Sequence, residues 1–136
     1  MRIFVDTSAF LAVLDADDEN HLPARRTWEE ILASGASLIT TSYVLVETYA
    51  LVPRRLGMEA VRTFHEDIVP LLQVEWVDGN LHQQGANALL TARRRNLSLV
   101  DCTSFAVMRR LGIRRAFALD KHFSEQGFEL TPGEGL

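Results

Sequence analysis

The chain has 136 residues, 47% of them apolar and 24% charged, with a formal net charge of -4 and a mean hydropathy of +0.01. That is the size and balance of one globular domain with its own core, and it excludes disordered, collagen-like and coiled-coil chains. An acidic average also argues against a protein that coats nucleic acid, while leaving room for an enzyme with a local basic edge.

Residues Arg2 to Val5 are short, β-branched and aromatic, the pattern of a buried strand. Ser8 to Leu14 reads as a short helix, and the polar run Asp15 to Asn20 as a loop. His21 to Ala33 has helical spacing, with Leu22, Trp28, Ile31 and Leu32 expected on its apolar side. Ser37 to Thr40 is a second strand. Thr41 or Ser42 can cap the helix Tyr43 to Arg55, which Pro53 is expected to shorten or kink. Met58 to Val69 is a further amphipathic helix, stopped by Pro70. Val74 to Val77 is a third strand, and Asp78 to Asn80 a turn and cap. Leu81 to Arg95 and Leu99 to Leu111 are helices. Arg115 to Leu119 is a fourth strand, and Phe128 to Leu130 a short edge strand. The last residues, Thr131 to Leu136, are expected to be a mobile tail.

Strands alternating with helices imply crossover connections and a mostly parallel sheet covered on both faces. Ligands of such sheets gather at the carboxyl ends of the strands. With no repeat, low-complexity run or Gly/Ser linker, residues 1–136 are expected to form one domain. The single cysteine, Cys102, cannot form an intrachain disulfide, which fits a reducing compartment. No secretory pattern opens the chain, and no apolar run approaches the ~18 residues of a membrane span. The expectation is a cytoplasmic protein without a membrane.

Most of the acids lie among polar residues, as in Asp15 to Glu19, Glu29-Glu30 and Glu66-Asp67, and read as solvated surface. Asp15 to Asn20 lacks the glycine and distal Glu of a calcium loop. Four acids differ, because each interrupts apolar sequence: Asp6, Glu47, Asp101 and Asp120. An ionised carboxylate in such surroundings needs a partner or a metal. The predicted strands and helices bring all four to the carboxyl edge of the sheet. Taken singly, Asp6 or Asp101 could be helix caps, Asp120 a turn residue and Glu47 a surface residue. Four converging carboxylates repel one another unless a hard divalent cation is present, and Mg²⁺ or Mn²⁺ prefers such oxygen ligands. Such ions serve phosphoryl displacement. The four histidines are scattered without zinc spacing, and only His122 lies close to one of these acids. Cys102 sits beside Asp101, which would hold its thiol protonated. There is no GxSxG elbow, P-loop or GxGxxG run.

The segments FVDTSAF (4–10), VLVET (44–48), LSLVDCTSF (97–105) and FALDKHF (117–123), with DENHLPAR at 18–25, resemble the PIN-domain ribonucleases. The resemblance is strongest to the VapC-type toxins of prokaryotic toxin–antitoxin pairs, and it covers nearly the whole chain. It implies a three-layer α/β/α sandwich around a mostly parallel sheet of four to five strands. It also implies metal-dependent cleavage of RNA, with one or two Mg²⁺ or Mn²⁺ ions on Asp6, Glu47, Asp101 and Asp120. Thr7 and Ser8 correspond to the hydroxyl residues that help to order such a site, and Ser104 is an auxiliary candidate. A cognate antitoxin and a homodimer are further expectations.

Thirteen of the fourteen basic residues are Arg, Lys121 being the one lysine, and they are bunched. Arg25-Arg26, Arg54-Arg55, Arg93 to Arg95, Arg109-Arg110 and Arg114-Arg115 are candidate phosphate contacts, or else solvated helix faces. Arg93, Arg94 and Arg95 are the favoured RNA-binding cluster because they precede the loop to Asp101. Two alternatives remain: a PIN nuclease of RNA maturation, and a receiver-type domain that accepts a phosphoryl group. The receiver reading wants paired acids early in the chain, whereas Asp6 stands alone.

Overall fold

The structure, a computed structural model, describes residues 1–133; the remainder of the expected mobile tail, 134–136, lies outside the described residues. Five strands form one sheet: β1 (Arg2–Val5), β2 (Ser37–Thr41), β3 (Leu72–Glu75), β4 (Arg115–Phe117) and β5 (Glu129–Thr131). Their order is β3-β2-β1-β4-β5, and every neighbouring pair is parallel. Phe4 pairs with Ile39 on one side and with Ala116 on the other, so β1 is the central strand. Its apolar run is buried throughout, as a parallel strand covered on both faces requires. From β1 the chain steps to β2 in one direction, while β4 lies on the other side. The strand order therefore reverses at β1 and β4, where open α/β sheets form their binding crevice.

Among the described residues seven α-helices complete the expected α/β/α sandwich: α1 (Thr7–Leu14), α2 (His21–Ser34), α3 (Ser42–Leu56), α4 (Met58–Thr63), α5 (Gly79–Ala92), α6 (Leu99–Leu111) and α7 (His122–Glu125). The core is aromatic at its centre. Phe10 meets Phe64 edge-on at 5.1 Å between ring centroids, and Phe105 meets Phe123 likewise at 5.1 Å. Phe4, Phe117, Leu81 and Met108 are buried around them.

Several boundaries differ from the sequence expectation. Pro53 does not end α3, which runs to Leu56 and closes with Gly57 N–H donating to Pro53 O (3.2 Å). After α4 the backbone loosens into a wide turn over Phe64–Ile68 and tightens over Val69–Leu71. Pro70 thus sits inside the last turn rather than beyond it. This shifts β3 back to Leu72–Glu75, where Leu72 pairs with Leu38 and Val74 with Thr40. β4 ends at Phe117, two residues early, and α7 has no sequence counterpart because four residues carry no periodic signal. On α2 the buried positions are Ala24, Thr27 and Ile31, while Leu22 and Leu32 face solvent. Ile31 and Trp28 therefore pack on the core as expected, Ala24 and Thr27 join them, and only Leu22 and Leu32 miss the contact.

α5 and α6 meet at Gly85. A Cβ there would lie 2.4 Å from Thr103 Oγ1 and 3.3 Å from Thr103 N. Gly85→Ala is therefore expected to lower stability by about 1–2 kcal/mol, because overpacking exceeds the gain in helix propensity. Thr103→Ala in the same chain should recover much of that loss, as read by paired thermal melts.

Candidate active site

Asp6 follows β1 and caps α1. Its N–H donates to Phe117 O (3.0 Å), tying it to the last residue of β4. Its Oδ2 accepts from Ser8 N–H (3.2 Å) and from Ser8 Oγ (2.7 Å). Ser8 Oγ in turn accepts from Leu119 N–H (3.1 Å). One hydroxyl thus joins the end of β1 to the segment that leads into Asp120. Asp120 lies three residues beyond β4, not at its end as expected, and its Oδ1 accepts from His122 N–H (3.0 Å).

Asp101 arrives from a third direction, on the first turn of α6. It forms a capping box with Ser98: Asp101 N–H donates to Ser98 Oγ (3.1 Å), and Ser98 N–H donates to Asp101 Oδ2 (3.0 Å). Capping and clustering are thus compatible roles, because the box occupies one oxygen of the carboxylate. Ser98 was not singled out in the sequence, although Ser98-Leu99-Val100-Asp101 carries the spacing of such a box.

The electrostatics show which acids share a site. Asp6 is only 4% exposed. Burial pushes its carboxyl up to about 7; the Ser8 hydrogen bonds oppose this, and the carboxylates of Asp120 and Asp101 add to it. Asp120 is also pushed up, first by burial, with the His122 contacts opposing and Asp101 and Glu125 adding. Asp6 therefore feels both Asp101 and Asp120, and Asp120 feels Asp101. Glu47 is half-buried on α3 and is not among the charges that act on Asp6 or Asp120. Its neighbour Thr48 contacts the neighbour of Asp6, with Thr48 Oγ1 3.1 Å from Thr7 Oγ1, which docks α3 on α1.

None of the ion pairs among the described residues includes any of the four acids. Asp6 is the buried member of the four, while Glu47, Asp101 and Asp120 are half-buried. Among the described residues no group of three or more His, Cys, Asp or Glu is placed so that it could hold a metal ion. The four candidate donors are all carboxylates, a chemistry that fits a hard ion such as Mg²⁺ or Mn²⁺ better than zinc.

The auxiliary candidates divide. Ser8 touches Asp6 directly. Thr7 Oγ1 reaches Val44 O (3.4 Å) and Thr48, so it docks α1 on α3. Ser104 Oγ donates to Val100 O (2.8 Å) within α6 and touches none of the acids. Cys102 is buried, and burial, reinforced by Asp101, raises its thiol pKa, which leaves it protonated. The Arg93 to Arg95 cluster lies beyond α5, not on it: Arg93 is the left-handed cap at φ 52°. Arg94 pairs with Glu125 of α7 (3.0 Å), and Arg93 and Arg95 are exposed.

The PIN domain family model matches residues 3–129. The chain belongs to the PIN-domain family. This PIN domain is 39% identical over 132 residues to a protein described as 23S rRNA-specific endonuclease VapC20, in two strains of Mycobacterium tuberculosis (CDC 1551 / Oshkosh and ATCC 25618 / H37Rv). The match covers 96% of this chain and 98% of each relative. The crystal structure of Mycobacterium tuberculosis VapC20, described as a sarcin-ricin loop cleaving toxin, matches with a TM-score of 0.81 at 40% identity. It covers 93% of this chain and 95% of that one. The expectation of a VapC-type PIN ribonuclease with an α/β/α sheet is met.

The raised Asp6 value makes stability fall with pH. Below the ordinary 3.8 both folded and unfolded chains hold the proton; between 3.8 and about 7 the unfolded chain ionises first; above that the loss is constant. Without divalent metal, Asp6→Asn should therefore stabilise this PIN domain near pH 8 by roughly 2–4 kcal/mol and leave it unchanged near pH 4. Thermal melts in chelator at the two pH values test this, and equal differences at both would contradict it.

Proposed function

We propose that this chain cleaves RNA endonucleolytically with one or two Mg²⁺ or Mn²⁺ ions, and that the sarcin-ricin loop of 23S rRNA is its target. The observation that carries the metal dependence is the group of Asp6, Asp101 and Asp120, in which Asp6 is buried and, among the described residues, no cationic side chain ion-pairs with any of the three. The target rests on the relatives described as a 23S rRNA-specific endonuclease and a sarcin-ricin loop cleaving toxin.

Asp6, Asp101 and Asp120 would hold the metal, with Glu47 completing the set directly or through water. When bound, the ion supplies Lewis acidity for the phosphodiester and lowers the pKa of water. The chain's own part is positioning and proton handling. Ser8 holds Asp6 Oδ2 in place, and the Ser98 box fixes Asp101 by one oxygen. A carboxylate at this edge accepts the proton of the attacking water, and in-line displacement leaves 5′-phosphate and 3′-hydroxyl ends. Arg93 and Arg95 are proposed to contact RNA phosphates, with Arg94 anchored to Glu125.

The VapC-type relationship also supports a cognate antitoxin protein as partner, and we propose a homodimer of single-domain subunits acting in the cytoplasm. Among the described residues no helix is long and apolar enough to cross a membrane.

The test is cleavage of a synthetic 23S sarcin-ricin hairpin. Asp6→Asn should reduce the rate by more than ~100-fold, beyond the loss typical of an outer-shell partner. Chelator should abolish cleavage, and Mg²⁺ or Mn²⁺ should restore it. Full activity in chelator, or in Asp6→Asn, would overturn the mechanism. In the inactive variant, charge reversal at Arg93 and Arg95 should weaken hairpin binding and flatten its salt dependence; an unchanged salt slope would exclude that cluster.

A further inference from the structure

A second feature lies at the carboxyl edge of the sheet, towards β3. Tyr43, in the first turn of α3, shares a hydrogen bond with Nδ1 of His82, near the start of α5. Their rings meet edge to face, 80° apart, with centroids 5.9 Å apart. A neighbouring contact joins the same two regions: Val77 N–H donates to Ser42 Oγ (2.9 Å). That clasp sets Trp76, the residue after β3, beside the start of α3. Trp76 is 74% exposed, an unusual position for the largest apolar side chain. Tyr43 lies one helical turn, ~5.4 Å, before Glu47 on the same side of α3. Tyr43 is therefore a neighbour, on this helix face, of Glu47, the acid proposed to complete the site.

We propose that Tyr43 and Trp76, with His82 holding the Tyr43 ring, form a stacking platform for an unpaired base of the RNA beside the scissile phosphate. The inference rests on the ribonuclease reading above and adds a specificity element to that site. The chemistry favours a base over a protein side chain for two reasons. Tyr43 lies one turn from Glu47, one of the acids proposed for the site that the RNA backbone would enter. Single-stranded loops are also recognised mainly by splaying bases onto aromatic faces. The hydrogen bond to His82 restricts the Tyr43 ring before substrate arrives, which lowers the entropy lost on binding. Tyr43, His82 and Trp76 act here in binding and positioning; the four acids remain the groups closest to the chemistry.

The experiment uses the full chain and the sarcin-ricin hairpin. Affinity is measured in the Asp6→Asn background, and kcat and KM in the active chain. Trp76→Ala and Tyr43→Ala should each weaken binding roughly 5- to 100-fold, with KM moving more than kcat. Trp76→Phe, which keeps a ring, should stay within about threefold, whereas Tyr43→Phe keeps the ring but loses the His82 hydrogen bond and should fall between native and Tyr43→Ala. Trp76→Leu keeps apolar area without a ring and should behave like Trp76→Ala. Circular dichroism and melting of each variant separate unfolding from lost stacking. Native affinity in Trp76→Leu, or in both alanine variants, overturns the platform. So does a change in subunit mass with unchanged RNA affinity, which would make the face a protein interface. If the native chain neither binds nor cleaves the hairpin, the target reading fails, and the platform fails with it. That result is distinct from native cleavage with silent Tyr43 and Trp76 variants.

Discussion

The structure turns on one unfavourable act: burying the Asp6 carboxyl at the end of the central strand. β1 has neighbours on both sides, so the residue that follows it has little access to water. The fold answers with local hydrogen bonds. Ser8 gives Asp6 two donors and then links it, through Leu119 N–H, to the chain leaving β4. Those bonds lower the penalty without removing it, because Asp101 and Asp120 bring two more negative charges close by. A site assembled so far against its own electrostatics is one that the proposed cation would relieve.

The parallel topology explains how remote residues meet there. Strand order reverses between β1 and β4, which opens a crevice between the two strand ends. Asp6 stands on one side and Asp120 on the other, and the first turn of α6 delivers Asp101 from the next connection. Each carboxylate is held by a turn or cap that the backbone would form in any case: the Asp6 cap on α1, the Ser98 box, and the His122 N–H on Asp120. The functional geometry is thus built from ordinary helix-end chemistry, whose donors are already orphaned.

The net charge of -4 takes on a different meaning in this setting. It combines a concentrated group of acids with thirteen arginines, of which four are held in ion pairs among the described residues. Arg25 pairs with Glu29 along α2, Arg62 of α4 with Glu66 in the turn that follows, Arg115 with Glu129, and Arg94 with Glu125. An acidic average is compatible with RNA chemistry when the acids are concentrated in one place and guanidinium groups such as Arg93 and Arg95 stay exposed.

Much of this protein was legible in the sequence because its signals are local. Four acids breaking apolar runs, strands alternating with helices, and helix caps at Thr41 and Asp78 are all read within a few residues. The elements that differed are those set by partners. β3 slid to Leu72–Glu75 because strand position depends on pairing with β2, and Leu22 and Leu32 turned outwards because helix rotation follows what α1 presents. The sequence by itself determined the fold class and the family, since periodicity and motif order need no neighbours. Only the tertiary structure decided that Asp101 and Asp120 act on Asp6 while Glu47 is not among the charges that do, that Ser8 rather than Ser104 touches Asp6, and that Tyr43 meets His82. Charge interaction and hydrogen bonding depend on distance in space, and for residues on different elements that distance is set by packing.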